Sequence, residues 1–353
     1  MFEKIDFFET VEALQAGIYD GSYLLLVGEK TDISALSLSS SISMAGAIFP
    51  RIIFGTKSYQ KGIIAARLSA QMSMKVTTQM ESATILDIPK SINSLFVIVD
   101  GFSSKFDQFL ENLFSMLPAQ TKIIGGGAGK LTLAQEPVIF DAQGIYQDSA
   151  IIIYSKTPIG IGVEHGWESL VGPFIATKCE GHRLFEMNFK DAFLVYKEAL
   201  ERHSGQTIDE KNFFKIAQMY PLGIVRYNKE FIVREAIQTD GKSLLLVGNI
   251  DQNSVITILQ GEKQKLITAA YRAAQSSHKH MQGKNSTILV IDCISRFLLL
   301  QDDFSLELET IASAYPKDAV IWGVLALGEI ANANQEGIEF YNKTCVVGSL
   351  PCN

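Results

Sequence analysis

The chain has 353 residues, 47% of them apolar and 20% charged, with a formal net charge of −7. That length suffices for two domains with separate cores, and the composition is globular. The acidic balance without a basic run argues against nucleic-acid binding, and the apolar runs are too short to span a bilayer. The N-terminus MFEKIDFFET is not a signal peptide, and Cys179, Cys293, Cys345 and Cys352 lack C-x-x-C spacing. Together these predict a cytoplasmic protein with reduced thiols and no zinc framework.

In chain order, Phe2, Ile5, Phe8 and Val11 recur at helical steps and predict an opening helix. Tyr23–Val27 reads as a buried strand, and Thr31 with Asp32 as caps of a weakly patterned second helix reaching Ser43. Strands follow at Ile52–Phe54, Gly62–Leu68 and Leu95–Asp100. A helix carrying Phe106, Phe109, Leu110 and Leu113 is capped by Ser103 or Ser104 and stopped by Pro118. Lys122–Gly129 is a strand, and Pro137–Phe140 with Ile145–Tyr154 a hairpin.

Pro158–Gly181 is rich in glycine and holds His165 and Trp167, which suits a packed crossing between two halves; an ordinary long hairpin loop is the competing reading. Beyond it, Phe189–Leu200 and Ile208–Ala217 read as helices, and Leu222–Tyr227, Phe231–Glu235, Ser243–Val247 and Val255–Leu259 as strands. A long helix over Glu262–His278, a strand over Thr287–Asp292, a helix stopped by Pro316, and strands over Ala319–Leu325 and Ile338–Val347 complete the chain. The halves repeat at an offset of roughly 190–200 residues. Arg51–Ser69 lies over Ser243–Gly261, Leu95–Asp100 over Thr287–Asp292, Lys122–Gly129 over Ala319–Gly328, and the turn at Gly144 over that at Gly337. This predicts an α+β fold of two internally similar halves, with mixed or antiparallel sheets covered by helices in a layered α/β sandwich.

Tests for familiar chemistry fail. Ile124–Lys130 lacks the first glycine and the final hydroxyl of a phosphate loop, and the third glycine of a dinucleotide fold. The five histidines show no metal spacing, and no serine elbow or paired cysteine nucleophile is present.

Several stretches in order resemble the FIST domain family: Ile123–Gly129, Gly162–Trp167 with Val171–Pro173 and Ala176–Thr177, Pro221–Gly223, Ile232–Arg234, Cys293–Arg296, Gly328–Ile330 and Asn342–Thr344. The resemblance implies an N-terminal FIST domain over residues 22–218 and a C-terminal one over 219–353. It also implies a cytoplasmic sensory protein that binds a small, amino acid-like molecule. Such a protein acts through a separate partner such as a histidine kinase or a cyclic-di-nucleotide enzyme, with neither nucleic acid nor membrane, and a homodimer stays open. Similar stand-alone members imply a second reading, a haem-bound nitric-oxide sensor of a two-component system with His165 as the axial ligand. A third reading is an enzyme on a small metabolite, with Cys293 or Glu329 in its site.

The candidate ligand residues are His165, Trp167, Arg234, Arg296, Glu329, Asn342 and Thr344. Arg234 would hold a carboxylate in a bidentate fork; its competing role is an ion pair with Glu235 or Glu230.

Overall fold

The computed structural model describes all residues except 82–87, 133, 227–229, 282–285, 333–336 and 352–353, so Cys352 and Tyr227 fall outside it. A first unit contains β1 (Phe2–Phe8), α1 (Val11–Gly17), β2 (Gly21–Gly28), β3 (Ile42–Phe49), the hairpin β4 (Arg51–Phe54) and β5 (Lys57–Tyr59), and β6 (Ile63–Leu68). A second contains β7 (Met72–Thr77), β8 (Ser94–Asp100), α2 (Phe106–Met116), β9 (Lys122–Ala128), the hairpin β10 (Ile139–Asp141) and β11 (Ile145–Tyr146), and β12 (Ala150–Ser155).

The third unit starts with β13 (Gly160–Glu164) and is then interrupted. The insertion holds β14 (Trp167–Glu180), β15 (Arg183–Met187), β16 (Lys190–Asp191), α3 (Ala192–Ser204), α4 (Phe213–Ala217), β17 (Leu222–Val225) and β18 (Phe231–Arg234). It continues through β19 (Ala236–Thr239), β20 (Leu244–Leu246) and β21 (Val255–Gly261). The unit resumes with α5 (Lys263–His280), β22 (Ser286–Cys293), α6 (Ile294–Leu300), α7 (Phe304–Ala312), β23 (Ile321–Ala326), the hairpin β24 (Glu329–Ala331) and β25 (Glu339–Tyr341), and β26 (Cys345–Pro351).

The fold is α+β, with mixed and antiparallel sheets in two halves, as the sequence pattern implies. Three six-stranded sheets follow one plan: β1-β6-β2-β3-β10-β11, β7-β12-β8-β9-β24-β25 and β13-β26-β22-β23-β4-β5. In each, the central pair is parallel (β2 with β3, β8 with β9, β22 with β23), two antiparallel strands flank one side, and a hairpin closes the other. The repeat of Leu95–Asp100 over Thr287–Asp292 is therefore β8 over β22, that of Lys122–Gly129 is β9 over β23, and the Gly144 and Gly337 turns lead into β11 and β25.

No unit keeps its own hairpin. The first donates β4–β5 to the third sheet, the second β10–β11 to the first, and the third β24–β25 to the second. The apolar faces of the three sheets meet in one core, where Leu24, Leu26 and Phe49 face Phe96, Ile124, Leu289, Ile291, Trp322 and Val324. The insertion forms a fourth sheet, covered by α3 and α4 through Phe193, Tyr196, Leu200 and Phe213.

Several expectations are corrected. Phe2–Phe8 is a strand on β6: a register shift between Phe2 and Lys4 breaks the two-residue alternation, so its apolar spacing resembles a helix. Thr31 and Asp32 cap no helix. Thr31 Oγ1 bonds the backbone of Gly62 and Asp32 closes a turn onto the Ser34 N–H. Ser103 likewise makes a turn to the Lys105 N–H, and α2 begins without a side-chain cap. The run 137–154 is not a simple hairpin, because β12 leaves for another sheet, and β6 likewise pairs away from β4. Arg51–Ser69 has no structural counterpart in Ser243–Gly261, which belongs to the insertion. Phe189 precedes α3, is 83% exposed, and stands at positive φ in a turn with Asn188.

Pro158–Gly181 is a crossing made of strands: β13 pairs with β26 in the third sheet and β14 with β21 in the fourth. Its glycines let α5 rest directly on β13. A Cβ at Gly160 would lie 2.1 Å from the Ser277 carbonyl oxygen, and one at Gly162 1.9 Å from that of Ala273. Gly162→Ala is expected to cost about 3 kcal/mol in denaturant unfolding, because backbone, not a movable side chain, must retreat. Gly181→Ala, with open space around it, should lose only about 1 kcal/mol through its positive φ.

Candidate functional site

Once β13 is pressed onto α5, the chain has to turn sharply to enter β14. It does so at Gly166, at positive φ, where a Cβ would meet the Lys265 carbonyl oxygen at 2.7 Å. His165 sits at the bend. Trp167 anchors the far side: its buried indole Nε1 donates to the Lys343 carbonyl at 3.0 Å, and the Lys343 ammonium lies 5.4 Å from the ring centre.

The His165 ring is fixed electronically as well as sterically. The backbone N–H of Trp167 donates to His165 Nδ1 at 2.9 Å, so the neutral ring carries its proton on Nε2. Burial, then the nearby Arg296 charge, pushes the His165 pKa down to about 4 despite the opposing pull of Glu230. At neutral pH His165 is an uncharged donor.

That ring divides two cavities. One, of about 250 Å³, is lined by Glu164, His165, Glu168, Lys265, Thr268 and Arg272. Lys265, Thr268 and Arg272 fall at helical spacing on one face of α5. Its charges already pair, Lys265 with Glu168 at 2.7 Å and Arg272 with Glu164 at 3.2 Å, but such half-exposed pairs contribute little and can be exchanged for a ligand. The other, of about 200 Å³, is lined by Glu164, His165, Glu230, Phe231, Tyr341 and Thr344.

Beneath the bend lies Arg296, fully buried. Its Nη1 donates to the His165 carbonyl at 2.8 Å and Nη2 to the Leu266 carbonyl at 3.0 Å, so one side chain grips both the bend and α5. Glu307 receives Nη2 at 2.6 Å, and Asp292 lies 3.0 Å from Nε. Burial opposes the guanidinium charge, but Glu307 and Asp292 outweigh it and hold Arg296 protonated. Burial and the Glu307 charge in turn push the Asp292 pKa well up, against the pull of Arg296. Asp292, Glu307 and Cys345 could converge on a metal ion, yet Arg296 already supplies the positive charge there, and the group reads as an internal ion network.

The seven residues singled out from the sequence thus separate. His165 lines both cavities, Trp167 the first and Thr344 the second. Arg296 supports them from below. Arg234 is buried and spends its donors on the carbonyls of Asn249, Val233 and Phe340, pairing with neither Glu235 nor Glu230. Asn342 accepts the Glu235 N–H and donates to the Tyr341 carbonyl. Glu329, also buried, accepts the Thr344 N–H, and burial raises its pKa. Lys343 bridges these layers: at positive φ and fully buried, its ammonium lies 2.8 Å from Glu235 and donates to the Gln218 carbonyl. Missed from the sequence were Glu164, Glu230, Phe231, Tyr341, Lys265 and Arg272. Only Glu164 lay within a quoted motif.

The FIST N domain matches residues 32–190 and the FIST C domain residues 192–332. The chain belongs to the FIST family. FIST domains are small-ligand sensory domains of signal transduction. No curated protein matches this FIST chain significantly. A solved chorismatase covers 98% of this chain and 98% of its own at 8% identity, with a TM-score of 0.35, a likeness too weak to build on.

Haem does not fit the FIST site as arranged. An axial ligand needs a free lone pair, but the Nδ1 pair of His165 accepts from Trp167 and Nε2 carries the proton. Among the described residues no helix is long and apolar enough to cross a membrane.

The lowered His165 pKa has a stability consequence. The unfolded chain binds this proton below about pH 6.5, the folded protein only near pH 4. Stability is therefore intact above 6.5 and declines between 6.5 and 4, by about 2–3 kcal/mol for this group. His165→Asn keeps an acceptor for the Trp167 N–H, and urea unfolding at stepwise pH should show a shallower acid decline than in the wild type.

Proposed function

We propose that this FIST protein is a cytoplasmic sensor whose ligand, a polar metabolite of amino acid size, occupies the cavities on either side of His165. One observation carries the reading: a neutral histidine, held by bonds to its Nδ1 and its carbonyl and so an Nε2–H donor, lines both cavities. The mixed acids and bases of the first cavity support a ligand bearing both charges. Residues 22–218 and 219–353 would act as the two domains clasping it. The signal would pass to a separate protein such as a histidine kinase or a cyclic-di-nucleotide enzyme.

Two other readings are weaker. A haem-bound nitric-oxide sensor would require His165 to flip its ring and give up the Trp167 bond; a red protein whose Soret band vanishes in His165→Ala would restore it. An enzyme using Cys293 has little chemical support, because burial and the charges of Glu329 and Glu235 push that thiol well up, away from the reactive thiolate.

A thermal-shift screen of amino acids and related metabolites should stabilise the protein by about 2.7 kcal/mol at 100 times the dissociation constant. The shift should disappear in His165→Ala. Stabilisation that survives this substitution would move the ligand elsewhere.

A further inference from the structure

Three ring systems stand around the second cavity: the imidazole of His165, the phenyl of Phe231 and the phenol of Tyr341. The first two lie 6.3 Å apart between centres and are tilted by 50°, so neither covers the other's face. Both carboxylates of the lining are already engaged, Glu164 by Arg272 at 3.2 Å and Glu230 by a neighbour of its own. Recognition therefore falls to the rings and to two hydroxyls. Thr344 donates its proton to the Asn342 carbonyl at 2.8 Å and keeps only lone pairs to offer. Burial, and then Glu339 and Glu230, raise the Tyr341 pKa, so its phenol stays protonated. That proton has no acceptor among the described residues. His165 Nε2–H is a second donor on the same cavity.

Aromatic walls and two donors enclose about 200 Å³, less than the roughly 300–1,000 Å³ of a drug-sized site, and so match one flat ring bearing an acceptor. Resting on the reading that the His165 cavities hold the ligand, we propose that the second cavity binds a single-ring aromatic compound with a hydrogen-bond acceptor, such as an aromatic carboxamide or a pyridine-type heterocycle. The ring lies against Phe231 and Tyr341, and the acceptor receives His165 Nε2–H. An aromatic ring gains over a saturated one of equal size, because its face and edge meet complementary charge on the neighbouring rings. An acceptor gains over a bare ring, because a donor stripped of water and left unpaired costs free energy.

Ligand-observed NMR titrations on the full chain with benzamide, nicotinamide, cyclohexanecarboxamide and toluene test this. Benzamide and nicotinamide should bind about five- to tenfold more tightly than cyclohexanecarboxamide, which has the acceptor without the π-system, and than toluene, which has the ring without the acceptor. Phe231→Leu and Tyr341→Leu, on separate elements, should each erase the aromatic advantage and leave cyclohexanecarboxamide as before. His165→Asn should weaken the amides and spare toluene. Unchanged melting temperatures would confirm that the variants fold. Equal binding of the saturated and aromatic amides would overturn the proposal, and so would toluene binding as tightly as benzamide. Aromatic binding indifferent to both leucine variants would also overturn it. If none of the four probes binds, the aromatic proposal falls. The sensor reading then stands on any compound of the metabolite screen whose shift is lost in His165→Ala, and falls too if that screen is silent.

Discussion

Arg296 is the constraint on which the site depends. A guanidinium without water is tolerable only where opposite charge and good acceptors surround it, and here Glu307, Asp292 and two backbone carbonyls do so. One of those carbonyls belongs to His165 and the other to the start of α5. The buried charge thus fixes the distance between the bend and the helix whose Lys265 and Arg272 line the first cavity. Burial first, and then this guanidinium, which would repel an imidazolium above it, keep His165 neutral.

The cyclic exchange of hairpins explains why residues so distant in sequence meet there. β24–β25 pairs with β9 in the second sheet, whereas β26, only four residues on, pairs with β13 in the third. The turn between them, Asn342–Lys343–Thr344, must step from one sheet to another. In doing so it brings Tyr341 and Thr344 to the cavity, lends the Lys343 carbonyl to Trp167, and accepts positive φ at Lys343. Buried polar groups at such a step must be satisfied internally, which is why Asn342, Thr344, Glu329, Glu235 and Lys343 bond largely to one another and to backbone.

Much of the frame was legible. β8, β9 and β22 are short apolar runs bounded by turn residues, and buried strands announce themselves that way. The bend was legible too, because glycines beside a tryptophan signal close backbone approach. Partnering was not. Nothing local tells β6 to leave β4, since both choices bury the same residues and only the third sheet decides between them. The same holds for the site. His165 and Trp167 stood out by type, but Arg234 and Arg296 invited a ligand role that backbone carbonyls had already filled. Glu230, Phe231 and Tyr341 looked like ordinary strand residues, because their meaning comes from a neighbour more than 60 residues away.

The proposed sensing role rests on His165 being a neutral Nε2–H donor, and its ring nitrogens can be observed directly. Long-range proton–nitrogen correlation spectra of ¹⁵N-histidine protein at pH 7 should show His165 with an unprotonated Nδ1 and a protonated Nε2. The Nε2 resonance should move when a binding compound is added. A ring protonated on Nδ1, or an Nε2 signal indifferent to every ligand that stabilises the protein, would contradict the account.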